Sequence, residues 1–425
     1  MKLANNMNFE FLLGGIGRAV SNPQYRLFWI SNGLSTTGRW IYRTAVAWLT
    51  WELTKSTFWL GVIAFADVFP MVALSIFSGA ISDRVGYLRV MKIMQLWLIL
   101  VSICFSVLIF AGILSIELLL ILTILHGFIE AMATPPRISI VKFLVKKDEL
   151  SAAVALNSAT FNACRVVGPA VGGGLLLFVE ADLVFAVATL TFIQFYLIMF
   201  YLKPQGEASK PRVSQKLLRD MWDGILYAWN HPGLRFLMFV LAATGLLIRP
   251  FMEMAPGYAA MVFERGPDGL AMILSSIGAG ALFASLWLAH RGRTEGLTRL
   301  VSSSFALTSI LLIGFTLCSQ IALAMAFLAG IGFFMMVSGV SAQTLIQNAT
   351  SSEMQTRAVS LFVLFNWGMP AVGALIMGWI ATFFGLQFTI ALGAGLGLVF
   401  WMWSKKEGRR QVASLESDNN KKDLF

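Results

Sequence analysis

Twelve near-continuous apolar stretches, separated by short charged connectors, run through this 425-residue chain. Each is about as long as the ~20 residues a helix needs to cross hydrocarbon. A backbone in lipid has no water to satisfy its N–H and C=O groups. Runs of this length, without strict alternation of polar and apolar residues, satisfy those groups as helices rather than as barrel strands. The expected fold class is an all-α membrane protein with twelve transmembrane helices. The spans are predicted at 28–50, 58–81, 90–112, 117–136, 152–178, 182–202, 234–254, 268–289, 299–317, 321–345, 358–383 and 386–403.

With 57% hydrophobic and 13% charged residues, little chain remains for a water-soluble catalytic domain. The formal charge of +10 would suit nucleic acid, but the basic residues fall in alternate connectors. Asp83, Arg84, Arg89 and Lys92 share one connector; Arg137, Lys142, Lys146 and Lys147 the next; Arg291, Arg293 and Arg299 a later one. The intervening connectors hold Glu52, Glu117, Glu180, Asp182, Glu264 and Asp268, with only Lys55 and Arg265 as basic members. This is the positive-inside bias of a multi-pass membrane protein, with both termini cytoplasmic and no nucleic-acid partner. Cys104, Cys164 and Cys318 lie apart inside apolar runs, without metal or redox spacing, and read as packing residues.

The expected organisation is a cytoplasmic lead over 1–27, a six-helix bundle over 28–202, a linker over 203–232, a second six-helix bundle over 233–403 and a short, charged, disordered tail over 404–425. Within the linker, Ser214 to Asn230 reads as an amphipathic surface helix. Asn22–Phe28 resembles His231–Leu237, and Ala153–Leu156 matches Ala358–Leu361 in nearly the same register. Two bundles repeated in parallel and related by pseudo-symmetry are a transporter architecture, with substrate held near mid-membrane.

Two motifs carry a family resemblance. Between spans two and three, Gly79-Ala80-Ile81-Ser82-Asp83-Arg84-Val85-Gly86-Tyr87-Leu88-Arg89 combines a glycine for close helix approach, a capping or ion-pairing Asp and a turn glycine. It resembles the signature loop of the major facilitator superfamily. Tyr87 and Leu88 stand where that family usually has basic residues, leaving Arg89 alone. In span five, Arg165-Val166-Val167-Gly168-Pro169-Ala170-Val171-Gly172-Gly173 resembles the Gly-Pro motif of the superfamily's exporters, with Cys164 in place of one family glycine. Asn22 to Gln95, Pro135 to Asn157 and Arg249 to Gly257 look like the branch containing the enterobactin exporter and macrolide efflux proteins. The resemblance implies the major facilitator fold and secondary active efflux from the bacterial inner membrane. It further implies that Gly79, Asp83, Arg84, Gly86 and Arg89 form a conformational latch, and that Gly168, Pro169, Gly172 and Gly173 pack helices into a permeation barrier.

Charges inside hydrocarbon are costly, so the few present are the best site candidates. Arg39, Arg43, Arg165 and Arg249 outnumber the deep acids, and a guanidinium fork suits a carboxylate-bearing substrate. Trp40, Trp48, Phe65, Phe69, Phe161, Phe362, Phe365 and Trp367 could instead line a cavity for drugs. For proton coupling, Glu130 leads, one helical turn after His126, with Asp67 as runner-up. The competing role for Glu130 is a structural ion pair with Arg39 or Arg165. No catalytic triad, metal motif or phosphate loop is legible, so the chain is read as a non-enzyme needing no cofactor and drawing its energy from a gradient or another subunit. The expected function is export of a siderophore-like metabolite or drug by proton antiport, its partners being a small-molecule substrate, protons and membrane lipid. An importer or facilitator of the same fold is the alternative, and a non-transporting receptor or scaffold is a third class.

Overall fold

The computed structural model describes residues 17–205, 225–350, 354, 358 and 361–416, and among them it contains helices and no strand. The chain divides into two compact units, Met1–Leu49 with Pro70–Val213, and Thr50–Phe69 with Ser214–Phe425. The helices are α1 (Pro23–Thr54), α2 (Thr57–Val85), α3 (Tyr87–Phe110), α4 (Ile116–Ser139), α5 (Leu150–Leu175), α6 (Ala181–Ile198), α7 (Pro232–Ala243), α8 (Ala255–Met261), α9 (Pro267–Arg291), α10 (Leu297–Thr316), α11 (Ile321–Ala349), α12 (Met369–Phe384) and α13 (Leu386–Glu416). Over its described residues, each predicted span falls mostly on helix. Among the described residues, nine segments are both long and apolar enough to cross a membrane. α1 and α5 are long enough, at 32 and 26 residues, but are less apolar, with Arg39, Arg43 and Arg165 set among Ser, Thr, Asn and Gly residues.

Local chemistry sets the helix ends. Ser115 caps α4 by accepting from Leu118 N–H, and His231 caps α7 by accepting from Leu234 N–H at Nδ1, with Pro232 in the first turn. Gly86, at φ 99°, makes the turn between α2 and α3 in a backbone region that a side chain would oppose.

In the first unit α1 and α5 run parallel and touch closely. Tyr25 donates to the Ala153 carbonyl, and Trp29 Nε1 to Thr160 Oγ1. One turn further along α5, Thr37 donates to Cys164 Sγ at 3.3 Å, so Cys164 sits in the same line of contacts as the glycines that follow. A Cβ on Gly168 would lie 2.3 Å from Trp40 Cβ, and one on Gly172 would lie 3.1 Å from Ile41 Cα. α3 and α6 are joined by a hydroxyl pair, Thr189 donating to Ser102.

In the second unit, α9 and α11 touch backbone to backbone at Gly280 and Gly332. The predicted span 234–254 is not one continuous α-helix. After α7 it widens into a π-turn at Thr244–Ile248 and tightens into a 3₁₀ turn at Arg249–Met252. A second π-turn, Leu364–Gly368, leads into α12. The interruptions meet: Gly373 lies against the Gly245 and Leu246 carbonyls and Pro250, while Gly245 lies against Met369 and Pro370.

The expected disordered tail is corrected in part. α13 continues through Glu416, with Ser404 and Leu415 buried. Leu415 covers Gly233, and the Glu416 carboxylate accepts from Gly296 N–H at 2.7 Å and Thr298 N–H at 2.9 Å. The tail is helical because it caps the start of α10, where unsatisfied N–H groups attract an anion. The rest of the tail, the first 16 residues and the linker over 206–224, including most of the expected amphipathic helix, lie outside the described residues; 225–230 is helical.

Candidate functional site

α4 holds the densest group of buried charges in the first unit. Glu130 accepts from Arg137 Nη2 at 3.1 Å and lies 3.8 Å from Arg39 Nε on α1, all three side chains being at most 16% exposed. Thr134 contributes its hydroxyl to the same carboxylate at 3.4 Å. Arg39 is held from its other side by Ser35 and Thr36, at 3.2 and 2.9 Å. Gln95 of α3 then ties Ser35 to the Phe192 carbonyl of α6. Of the expected partners of Glu130, Arg39 is present.

Arg137 is the residue that sequence reading missed. Pro135-Pro136 reads as the end of a span, which put Arg137 in a connector, yet α4 runs on to Ser139. Pro136 has no N–H to offer the Met132 carbonyl, and Ser78 of α2 fills the vacancy at 2.8 Å. The uninterrupted helix places Glu130, Thr134 and Arg137 on one face, a spacing of four and then three that would have identified the group. His126, one turn before Glu130, stacks on Tyr42 with ring centroids 4.5 Å apart. Tyr42 in turn meets the edges of the stacked pair Phe105 and Phe185.

Arg165 and Arg43 form a separate pair. Arg165 is partly buried on α5, and Arg43 of α1 is the charged group that bears on it. The Arg43 guanidinium lies 5.7 Å from the Trp40 ring centroid, and Trp40 meets the edge of Phe161 at 6.4 Å. Pro169 leaves the Arg165 carbonyl without its helical donor.

Arg249 and Asp67 belong to the second unit. Arg249 donates to the Asn366 carbonyl at 2.6 Å and to Asn366 Oδ1 at 2.8 Å. That carbonyl is the one Pro370 cannot serve, so the arginine braces the π-turn ahead of α12. Asp67 is partly buried on α2. In the loop motif, Asp83 accepts a hydrogen bond from Tyr87, the residue that departs from the usual pattern. Lys142 lies over the rings of Tyr87 and Phe143, so a cation approaches the motif from the next connector. Arg84 and Arg89 are exposed.

The sequence profile of the transmembrane secretion effector family matches residues 18–421. The staphyloferrin A transporter of Staphylococcus aureus (strain NCTC 8325 / PS 47) is 24% identical over 374 residues, 86% of this chain and 92% of that protein. The multidrug efflux pump Tap of Mycolicibacterium fortuitum is 23% identical over 365 residues, 83% of this chain and 88% of that protein. Among solved structures, a bacterial homologue of the human lysosomal transporter Spinster superposes with a TM-score of 0.69 at 13% identity, covering 92% of this chain and 98% of that one. The D-xylose-proton symporter superposes with a TM-score of 0.65 at 15% identity, covering 89% and 97%. The helices and the full-length profile agree: the chain belongs to the transmembrane secretion effector family of the major facilitator superfamily, multi-pass membrane transporters of small molecules and not enzymes.

Proposed function

We propose that this transporter exports a siderophore-like metabolite or drug, favouring acid-bearing cargo, across the bacterial inner membrane by proton antiport and alternating access, with both termini cytoplasmic. The observation that carries the reading is the Glu130 carboxylate between Arg39 and Arg137. A carboxylate in low dielectric needs either a cation or a proton. Antiport needs cargo and proton to exclude each other: a cargo that presses Arg39 onto Glu130 expels the proton of the carboxylate, and cargo release lets Arg39 withdraw so that Glu130 takes a proton up again. Proton and cargo thus occupy the cluster in turn. His126 and Asp67 assist proton movement, and Arg39, Arg43, Arg165 and Arg249 contact cargo. Export is favoured over import by the secretion description of the family and by the efflux named for one relative.

Gly79, Asp83, Arg84, Gly86 and Arg89 serve as the latch of the cycle, with Tyr87 holding the Asp83 carboxylate in one of its states. Gly168, Pro169, Gly172 and Gly173 make α5 the tightly packed wall of the first unit. The test is uptake into energised inside-out vesicles of a carboxylate siderophore, a catecholate siderophore, a macrolide and a cationic dye. Uncoupler-sensitive accumulation of at least one is expected. Transport of the panel only in right-side-out vesicles would replace export with import.

A further inference from the structure

In the first unit the start of α1 packs against the end of α6, with the Phe28 and Phe195 ring centroids 6.0 Å apart. Beside that contact lies a groove of about 350 Å³, lined by Gln24, Arg26, Leu27, Ile30, Ser31 and Gln194. α1 has 32 residues and so is about 48 Å long, more than the ~30 Å of hydrocarbon, which puts its first turns at headgroup level. Arg26 is in the first turn and exposed, and Ile30 and Leu34 continue its stripe as exposed apolar residues. On α6 the exposed Leu190 and Leu197 flank Gln194, a lone carboxamide on an apolar face.

The polar groups of the groove form two levels. At the outer level stands the Arg26 guanidinium. Lys203, also exposed, borders it, because its backbone N–H donates to Gln24 Oε1 at 2.7 Å. Among the described residues lining the groove there is no acid. At the inner level is Gln194, next in sequence to Phe195 and so about one turn deeper than Arg26, opposite Phe28. Its Oε1 is buried without a hydrogen-bond donor, which leaves the amide nitrogen as the end turned to the groove. Cations outside, an amide donor one turn in and an apolar stripe beyond match the order of groups in one phospholipid: phosphate, ester carbonyl, acyl chain.

We propose that the groove between α1 and α6 seats a single phospholipid of net negative charge, such as a phosphatidylglycerol. Arg26 and Lys203 hold the phosphate, Gln194 donates to an ester carbonyl, and a chain runs along Ile30 and Leu34. A zwitterionic headgroup is the poorer occupant, since its ammonium finds no carboxylate there. The seat makes no use of the Arg39–Glu130–Arg137 cluster and does not depend on the direction of transport.

The experiment is native mass spectrometry of the full-length protein, counting retained lipid after addition of phosphatidylglycerol or of phosphatidylcholine with the same chains. Phosphatidylglycerol is expected to be retained at least about fivefold better, the roughly 1 kcal/mol that one basic group contributes near an anionic surface. Arg26→Gln should remove most of that preference, whereas Arg299→Gln, which takes away another exposed arginine, should leave it intact. Arg26→Lys should keep part of it, because an ammonium still serves a phosphate as a point charge. A diether analogue should bind more weakly than the diester, and Gln194→Leu should abolish that difference. Equal retention of the two headgroups by the unmodified protein overturns the seat without recourse to any variant. So does an equal loss in Arg26→Gln and Arg299→Gln, which would reduce the effect to overall charge. Displacement of the lipid by glycerol 3-phosphate would make a soluble phosphate the occupant and overturn the seat as well.

Discussion

Replacing Glu130 with Gln keeps the shape of the side chain and removes the charge that Arg39 and Arg137 share. At an effective dielectric of about 20, a unit-charge pair at these separations of 3.1 and 3.8 Å is worth about 5 and about 4 kcal/mol. Most of that is offset by the desolvation of the three groups, and breaking such a buried pair from one side costs about 3–5 kcal/mol, because the remaining charges stay buried. Glu130→Gln should therefore destabilise the protein by about 3 kcal/mol or more. Arg137→Gln alone should cost less, because Arg39 still serves the carboxylate. In the double variant one buried cation has gone together with the anion, so its loss should fall short of the sum by more than about 1 kcal/mol, as coupled groups do. Unfolding by SDS titration in mixed micelles measures all three. Strictly additive losses, or a Glu130→Gln protein as stable as the original, would show that the three charges do not act as a group.

Gly168→Ala places a methyl 2.3 Å from Trp40 Cβ and should cost about 1–3 kcal/mol by overpacking, whereas Gly174→Ala, with nothing within 4 Å, should be neutral or slightly stabilising; equal melting temperatures for the two would refute the contact. Burial holds His231 below its ordinary value near 6.5. Its neutral form accepts the α7 capping bond, so its contribution is full above pH 6.5 and is lost as the pH falls from there toward the folded-state value. His231→Asn should remove that part of the pH dependence of the melting temperature, and an unchanged profile would assign the dependence elsewhere. Glu416→Ala should cost about 1–2 kcal/mol and increase hydrogen exchange at Gly296 and Thr298, which Glu416→Asp should partly restore if the carboxylate is the cap.

The spans were legible because lipid leaves the backbone few choices, and hydropathy alone marks where helices must lie. The buried charges were legible for the complementary reason: Arg39, Glu130 and Arg165 stand out against apolar sequence. Proline was where local reading failed. Pro136 and Pro370 each remove a donor, and distant side chains restore it, Ser78 at Met132 and Arg249 at Asn366. A sequence read segment by segment holds no sign of those partners, so Arg137 was assigned to a connector and the π-turns went unseen. The tail was misread for a related reason. Its charged composition suggests disorder, but Glu416 and Leu415 have specific receivers in Gly296, Thr298 and Gly233, more than a hundred residues away.

Proton movement in proteoliposomes carrying a pH-sensitive dye tests the central claim most directly, with an acidic cargo gradient imposed and no other driving force. The account predicts that cargo flow drives protons in the opposite direction through the unmodified protein. Glu130→Gln should still exchange labelled for unlabelled cargo while moving no protons. Cargo-driven proton movement of undiminished size in Glu130→Gln would contradict it.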